Sequence, residues 1–284
     1  MSYQQKKEEH LFHGFASGVG GYIERDFVKH PIPLVGGLAL SVSGGIGSTC
    51  HNNYDFVYVD KNRDRAADFR LQADKIFTVV TGTEREDGWL TTAQSELVNL
   101  DINGVVRADL VRAVTTSFHS RRAKITDPKP EAVISTRGSE LVNLTVRGVP
   151  VRLTPDETFD RYSTYGDLRS FMASGGSDAQ SFRARNFLES AGTSEDYICD
   201  MERFSSDTHV RCSIFSEIRF ERACEGVSQH CYSLAIPDFG RLYIGEVIVS
   251  NGEKQLNMLR FDLGCEVCGG GTGGAAGVNG ETVP

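Results

Sequence analysis

An eleven-residue segment occurs twice in this chain and constrains the fold more than any other sequence feature. The segment begins with SELVNL at Ser95 and again at Ser139, 44 residues later, and both copies continue in step to Gly104 and Gly148. A repeat of this length indicates one β-type unit that is used twice. The segment contains no nucleophile, no metal-binding motif and no phosphate-binding loop. It therefore indicates the fold but not a chemical activity.

Apolar and polar residues alternate in both copies, which predicts two half-buried strands. The residues predicted to share a buried face are Val98, Leu100 and Ile102 in the first copy and Val142, Leu144 and Val146 in the second. Asn103-Gly104 then predicts a type I′ hairpin turn, because both turn positions need a positive φ. Pro150 follows the second copy and lacks an N–H, so its strand is expected at a sheet edge or to leave the sheet early.

The distribution of strand signals predicts an all-β protein, with a β-sandwich or jelly-roll-like body that contains several hairpins. A β-solenoid is the alternative, because two similar units 44 residues apart could be stacked rungs. We divide the chain into an N-terminal arm (1–30), a β-rich body (31–268) with a polar excursion near 167–207, and a glycine-rich tail (269–284). The arm is expected either to add to a neighbour's open sheet edge or to form a first strand of the body.

Composition narrows the classes of function. The formal charge of −8 and the pI of about 5.4 argue against a nucleic-acid-binding surface, which needs clustered Lys and Arg. No stretch reaches the roughly 18 apolar residues of a membrane-spanning helix. The first residues also lack the apolar region of a secretory signal peptide.

Cysteine is the most specific residue type in the second half of the chain. The seven cysteines are Cys50, Cys199, Cys212, Cys224, Cys231, Cys265 and Cys268. Five of them lie between Cys212 and Cys268, a density that favours disulfides in an oxidising compartment, and the odd count leaves a thiol for a bond to another chain. Zinc bound by Cys224, Cys231 and the Cys265-x-x-Cys268 pair is the weaker alternative, because the first pair is spaced more widely than usual.

No catalytic set is evident. An acidic cluster near Pro155 could supply paired carboxylates for hydrolysis, and its members are Asp156, Glu157, Asp160 and Asp167. A surface loop explains the cluster as well. We therefore expect no catalytic residues, no metal, no cofactor and no enzyme activity.

Several segments resemble the bacterial choice-of-anchor P family. The stretch Ser139–Val151 is similar to that family's VNLTVxGVPV segment, Ala108–Ala113 to the strand after the first unit, and Leu259–Cys265 to its LRxxLGC segment, while Val278-Asn279-Gly280 with Pro284 fits its closing pattern. The resemblance implies a secreted or surface-exposed β-rich protein without an assigned reaction. The cysteine-rich region from Cys199 to Cys231 departs from the family's pattern.

These observations predict a structural, surface-exposed subunit that self-associates into an extracellular fibre or layer stapled by disulfides. Its expected partner is another copy of itself. The alternative is a monomeric, adhesin-like extracellular module that binds carbohydrate or a host protein through loops such as 167–207. A hydrolase that uses the acidic cluster is the third and weakest hypothesis.

Overall fold

The protein is a sandwich of two antiparallel β-sheets. The computed structural model describes residues 9–25, 27–59, 69–121, 131–186, 205–206, 209–250, 253–264 and 268–283. All pairs of neighbouring strands in the described residues are antiparallel. This confirms the all-β, sandwich-like prediction and excludes the stacked parallel rungs of the β-solenoid alternative.

The strands and helices of the described residues follow in chain order. The first half contains β1 (Glu9–Arg25), β2 (Val28–Val35), β3 (Leu38–Ala39), β4 (Gly45–Tyr58), β5 (Phe69–Glu84), β6 (Gly88–Ile102), β7 (Val106–Ser120), β8 (Val133–Ser135), β9 (Glu140–Val142), β10 (Thr145–Val146) and β11 (Val149–Pro155). The second half contains α1 (Thr158–Arg161), α2 (Tyr165–Ala173), α3 (Ser177–Asn186), β12 (Ser205–Ser206), β13 (His209–Ser213), β14 (Phe215–Phe220), β15 (Ser228–His230), β16 (Ser233–Ile236), β17 (Gly240–Ser250), β18 (Glu253–Gly264) and β19 (Cys268–Val283).

The two sheets differ in which parts of the chain they use. The first sheet has the order β12-β13-β17-β18-β19-β1-β2, with β3 beside β1, β16 beside β17 and β15 beside β16. The second sheet has the order β14-β11-β10-β7-β6-β5-β4, with β8 and β9 beside β7. The core lies between them, where β1, β18 and β19 pack on β5, β6 and β7.

The two copies of the repeat lie on either side of β7, in the same register. The first copy lies in β6 and the second in β9 and β10, and Glu96 and Glu140 are both paired with Arg112 of β7. Arg112 Nε donates to Glu96 at 2.9 Å, and its Nη1 donates to Glu140. The same positions of the two copies pair with β7, so the repeat provides equivalent neighbours on both sides of this strand.

The alternation of inward and outward side chains shifts at one residue in each copy of the repeat. The prediction that Val98 and Val142 share the buried face is therefore wrong. Leu100 and Ile102 are buried, but Val98 is half-exposed on the other face. The reason is Asn99, whose left-handed backbone (φ 52°) leaves two consecutive side chains outside without changing the strand register. The second copy shifts in the same way at Asn143 (φ 51°): Val142 is half-exposed, and Leu144 and Val146 are buried.

The shift extends as one row across β4, β5, β6 and β7 to the second copy of the repeat. The residues that face one another from strand to strand are Asn53, Asp74, Asn99, Asp109 and Asn143, and we call them the second-sheet row. All five are exposed, and every second member is a left-handed asparagine. Asn99 donates to Asp74 and Asn143 to Asp109, each at 2.7 Å. The amide and carboxylate side chains therefore hold neighbouring strands together where the backbone ladder is interrupted.

The first sheet carries a corresponding row that faces the core. Its members are Gly245, Met258, Gly274, Gly18 and Gly36, and we call them the first-sheet row. Gly274 has a φ of 71°, and a Cβ atom there would lie 2.9 Å from Val111 and 3.2 Å from Leu97 of the second sheet. Glycine is needed at this position because the left-handed residue points inward, where a side chain would collide with the opposite layer.

The segments predicted as an arm and a tail are central strands. Glu9–Arg25 forms β1, which has β19 on one side and β2 on the other, and its Phe12, Val19 and Ile23 are buried. Cys268–Val283 forms β19, which pairs with both β1 and β18. The glycines of β19 had suggested a linker, but they allow the two layers to approach closely.

The outcomes for the other segments differ, and the expectation for Pro150 is wrong. The hairpin turn at Asn103-Gly104 has the two positive φ angles of 54° and 68° that were expected. The polar excursion contains α2 and α3, and residues 187–204 lie outside the described residues. Pro150 is not at a free edge, because β11 pairs with β10 for two residues and then with β14.

We expect the left-handed conformation of Asn99 to be measurable as a stability difference between two variants. Asn99→Gly and Asn99→Val both remove the hydrogen bond to Asp74, but only valine must adopt a positive φ with a branched Cβ. Asn99→Val should therefore be less stable than Asn99→Gly by at least about 1 kcal/mol in urea unfolding. Equal stabilities would show that this backbone conformation is not required.

Candidate functional site

One sheet edge in the described part of the molecule is long and lacks the usual protection. Natural proteins protect free edges with prolines, charged residues or short strands, because unpaired backbone groups attract other strands. Edge strand β2 carries Pro31 and Pro33, and the terminal strands on the opposite side of the sandwich have six residues or fewer. Strand β4 has 14 residues and contains no proline or lysine, and among the described strands it pairs only with β5.

Most exposed apolar side chains of the described residues lie in the first part of the chain, and three of them lie on or just after β4. Nine of the ten large hydrophobic residues that are exposed in the described residues lie between Leu11 and Val59. Ile46 on β4 is 79% exposed, Val57 on β4 is 45% exposed, and Val59 just after it is 50% exposed. These three side chains lie near the two ends of β4, and exposed apolar groups beside an unpaired strand favour association.

The only acidic side chain of β4 is already paired. Arg70 of β5 donates two hydrogen bonds to Asp55, from Nε at 2.9 Å and from Nη2 at 2.7 Å. The hydrogen bond from Arg70 lowers the pKa of Asp55 below its usual value. Since β4 contains no lysine or arginine, this pairing leaves the edge close to neutral although the chain as a whole carries a charge of −8.

Tyr54 is a second unusual group on β4. Burial raises the pKa of its hydroxyl to about 12, and within the described residues the hydroxyl has no hydrogen-bond partner. A buried hydroxyl that lacks a partner costs roughly 1–3 kcal/mol. The inner side of the edge therefore contains a polar group that a neighbour could satisfy.

The structure places the predicted cysteines on separate parts of the molecule. Cys50 is exposed on β4, Cys212 is buried on β13, and Cys268 is exposed at the start of β19; these three and Cys224 are free thiols. Burial raises the pKa of the Cys212 thiol well above its usual value. Cys50 and Cys212 lie near opposite sides of the sandwich, too far apart for a disulfide.

The remaining cysteine predictions have different outcomes. Cys224 donates from its thiol to the carbonyl of Val146 at 3.6 Å, and Cys231 is half-buried between β15 and β16. Cys199 and Cys265 lie outside the described residues. No group of three or more His, Cys, Asp or Glu side chains in the described ranges could hold a metal ion, so the zinc alternative has no support there. The described cysteines form no disulfide with one another, so only bonds to Cys199, to Cys265 or to another chain stay predictions.

The acidic cluster is only partly brought together. Asp156 and Glu157 line a cavity of about 350 Å³ between α1 and α3, whereas Asp167 lies at the start of α2 and does not line it. Asp156 accepts from the backbone N–H of Thr158 at 2.9 Å and from Arg185 at 2.8 Å. Both oxygens of Asp156 are thus occupied by a helix start and a guanidinium group, as in a structural ion pair. The side chain of Asp160 lies outside the described residues.

Sequence reasoning missed a buried ionic cluster on the first sheet. Glu246 of β17 is only 1% exposed and accepts from Arg260 Nε at 2.9 Å and Nη2 at 3.1 Å. The Tyr232 hydroxyl also donates to Glu246, at 3.3 Å. Alternation cannot predict a buried charge pair on the outer face of a strand, because the burial depends on neighbouring strands and not on the pattern within β17. A pair with this many internal hydrogen bonds has a structural role.

Lys254 is a buried amine close to the loop before β8. It is 4% exposed, and its Nζ donates to the carbonyl of Ala132 at 3.4 Å. Burial lowers the pKa of Lys254 to about 7, although the charge of Glu131 acts in the opposite direction. Neutral Lys254 is therefore a large part of the folded population near pH 7.

We expect this buried amine to make stability depend on pH. Between pH 7 and about 10.5 the unfolded chain keeps a proton on Lys254 that the folded chain releases, so the contribution of Lys254 to stability rises with pH by up to about 1.4 kcal/mol per unit. Lys254→Met removes this dependence. Urea unfolding at several pH values should show the variant's stability advantage over the wild type shrinking as pH rises toward 10.

The control for this prediction is Lys75→Met, which removes an exposed lysine of β5. Its stability difference from the wild type should stay constant over the same pH range. A constant difference for Lys254→Met as well would show that Lys254 keeps its proton on folding.

The comparisons with known proteins concern the family. One family model, described as Domain of unknown function (DUF8256), matches residues 10–250. The chain belongs to the DUF8256 family. The match runs from β1 to the end of β17 and includes β4. No curated protein and no solved structure matches the chain.

Two further points concern the resemblance and the helices. Nothing in it links the chain to the choice-of-anchor P family, so that resemblance stays a prediction. Within the residues that the structure describes, none of the helices has the length and apolar character that crossing a membrane requires.

Proposed function

We propose that this protein is a structural subunit that self-associates through the free edge of β4. The observation that carries the proposal is the length of this edge: 14 residues without proline or lysine, next to exposed Ile46 and Val57. Such an edge offers a row of backbone donors and acceptors to another strand. Apolar burial would add to this pairing, at roughly 25 cal/mol for each Å² removed from water.

The charge distribution supports association between like molecules. Each copy carries a net charge of −8, which opposes contact in general. On β4 itself the only acidic group, Asp55, is paired with Arg70. Two copies can therefore approach at this edge without the repulsion between like charges that other surfaces would meet.

The proposed mechanism differs from donation of an N-terminal arm. Strand β1 occupies the centre of the first sheet and contributes buried residues to the core, so it is not available to a neighbour. Association through β4 leaves each fold complete and uses a surface that is already exposed. An extracellular or cell-surface location remains part of the proposal, supported by the cysteine density between Cys212 and Cys268.

A double substitution at the edge tests the proposal. We expect the wild type to sediment as a dimer or larger species between about 1 and 100 µM, the affinity range of modest interfaces. The variant Ile46→Lys with Val57→Lys should sediment as a monomer, because two ammonium groups would then oppose pairing at the edge.

Val133→Lys provides the matched control. Val133 is the one exposed large hydrophobic residue of the described part that lies away from residues 11–59, on β8. This variant should associate like the wild type. A wild type that remains monomeric over the whole concentration range would contradict the proposal.

A monomeric binding module is the second candidate, and the cavity between α1 and α3 favours it. Besides acidic groups the cavity exposes Arg161, Tyr162 and Ser181, a mixture of aromatic and polar groups suited to a small polar ligand such as a sugar. A monomeric wild type whose cavity residues respond to added monosaccharides in an NMR titration would favour this function over self-association.

A further inference from the structure

Any strand that pairs with the whole of β4 must meet one geometric condition. Residues that face each other in a β-ladder point to the same side of the sheet. Strand β4 shifts its alternation at Asn52-Asn53, where two consecutive side chains point outward. A partner that did not shift opposite these residues would have its side chains on the wrong face along half of the ladder.

Every described neighbour in the second sheet meets this condition. Asn52 and Asn53 of β4 lie opposite Lys75 and Asp74 of β5, which are also both exposed. The row continues in the same way through β6 and β7 to the second copy of the repeat. The second-sheet row therefore ends at β4 with one side unmatched.

We propose that a second copy of this chain matches the row by pairing β4 with β4 in antiparallel orientation, with Asn52 of each copy opposite Asn53 of the other. The inference rests on the proposed self-association and specifies its geometry. In an antiparallel pair of identical strands, this is the only register in which both shifts coincide. It places a two-fold axis between Asn52 and Asn53.

The sequence of β4 is self-complementary in this register. In three of the six facing pairs, at positions 47 to 49, a small residue faces a large one, and the half-buried positions 47 and 49 face the half-buried positions 58 and 56. The facing pairs are Ile46 with Val59, Gly47 with Tyr58, Ser48 with Val57, Thr49 with Phe56, Cys50 with Asp55, and His51 with Tyr54. Ile46 and Val59, the most exposed apolar residues of this segment, would cover each other at both ends of the interface.

The charges and polar groups also fit. Asp55 faces the thiol of Cys50 and not another acid. His51 of one copy lies beside Tyr54 of the other, whose hydroxyl has no partner among the described residues of its own chain. Asparagine side chains meet at the axis, so they continue the amide row from one copy into the next.

This geometry implies a closed dimer. A two-fold contact uses the same surface on both molecules, so it occupies both β4 edges and joins the second sheets into one continuous sheet. A fibre or layer would then need a second contact on another surface, with this dimer as its repeating unit.

Disulfide trapping tests the register. In Asp55→Cys, the thiol of Cys50 in each copy would face the introduced thiol at position 55 of the other, and mild oxidation should give covalent dimers linked through these two positions, identified by peptide mapping. Val57→Cys is the matched control, because residue 57 would face Ser48 and lie two positions from Cys50. We expect Asp55→Cys to cross-link at least about tenfold faster, because only it holds the two thiols at high effective concentration.

The outcomes separate this inference from the proposed function. Sedimentation of the wild type and of the reduced variants first shows whether they associate, and a wild type that is monomeric at all concentrations contradicts self-association itself. Three results would leave self-association in place and overturn the register. They are a reversible dimer in which Cys50 links to residue 57, one in which Cys50 links to Cys50, and one that forms no covalent dimer on oxidation. Efficient linkage of Cys50 to residue 55 supports both.

Discussion

When a long strand shifts its alternation of inward and outward side chains, its neighbours must shift at the same place to keep their apolar side chains in the core. In the second sheet, β4 to β7 have 14 to 16 residues and shift at a single row. In the first sheet, the 17-residue strand β1 also shifts at a single row that it shares with its neighbours. Left-handed residues occupy every second strand of each row, as asparagine where the side chain points to solvent and as glycine where it points to the core. The two rows lie over each other, because Gly274 of one lies against Leu97 and Val111 beside the other. Register throughout both sheets follows from this one constraint.

The repeat explains why part of the fold could be predicted from sequence. Strand character and the hairpin turn at Asn103-Gly104 both depend on neighbours in sequence, so local patterns predict them. The faces of Val98 and Val142 could not be predicted in the same way, because a constant alternation was assumed. The recurrence of Asn99 and Asn143 at the same place in each copy was the available signal, since asparagine is among the few residues that adopt a positive φ readily.

The glycine-rich C-terminal segment illustrates a different difficulty. Read locally, a run of glycines is typical of a linker, because glycine weakens an isolated strand. In the folded protein β19 is flanked by β1 and β18, and Leu97 and Val111 leave no room for a side chain at Gly274. The requirement comes from residues more than 150 positions away. Whether a strand such as β4 has a free edge is likewise a property of the complete strand order, which local sequence does not contain.

The adjacency of β1 and β19 has a consequence for how the chain reaches its folded state. The first described strand pairs along its length with the last, Glu9 opposite Val283, and this pairing fills the middle of the first sheet. The ribosome would therefore synthesise β1 long before its neighbour β19, and the apolar face of β1 would stay uncovered until then. Contacts of such large sequence separation also slow folding, typically to milliseconds or seconds in all-β domains. Closure of the first sheet therefore requires β19 to have been synthesised, and chaperones that shield extended apolar segments would act before it.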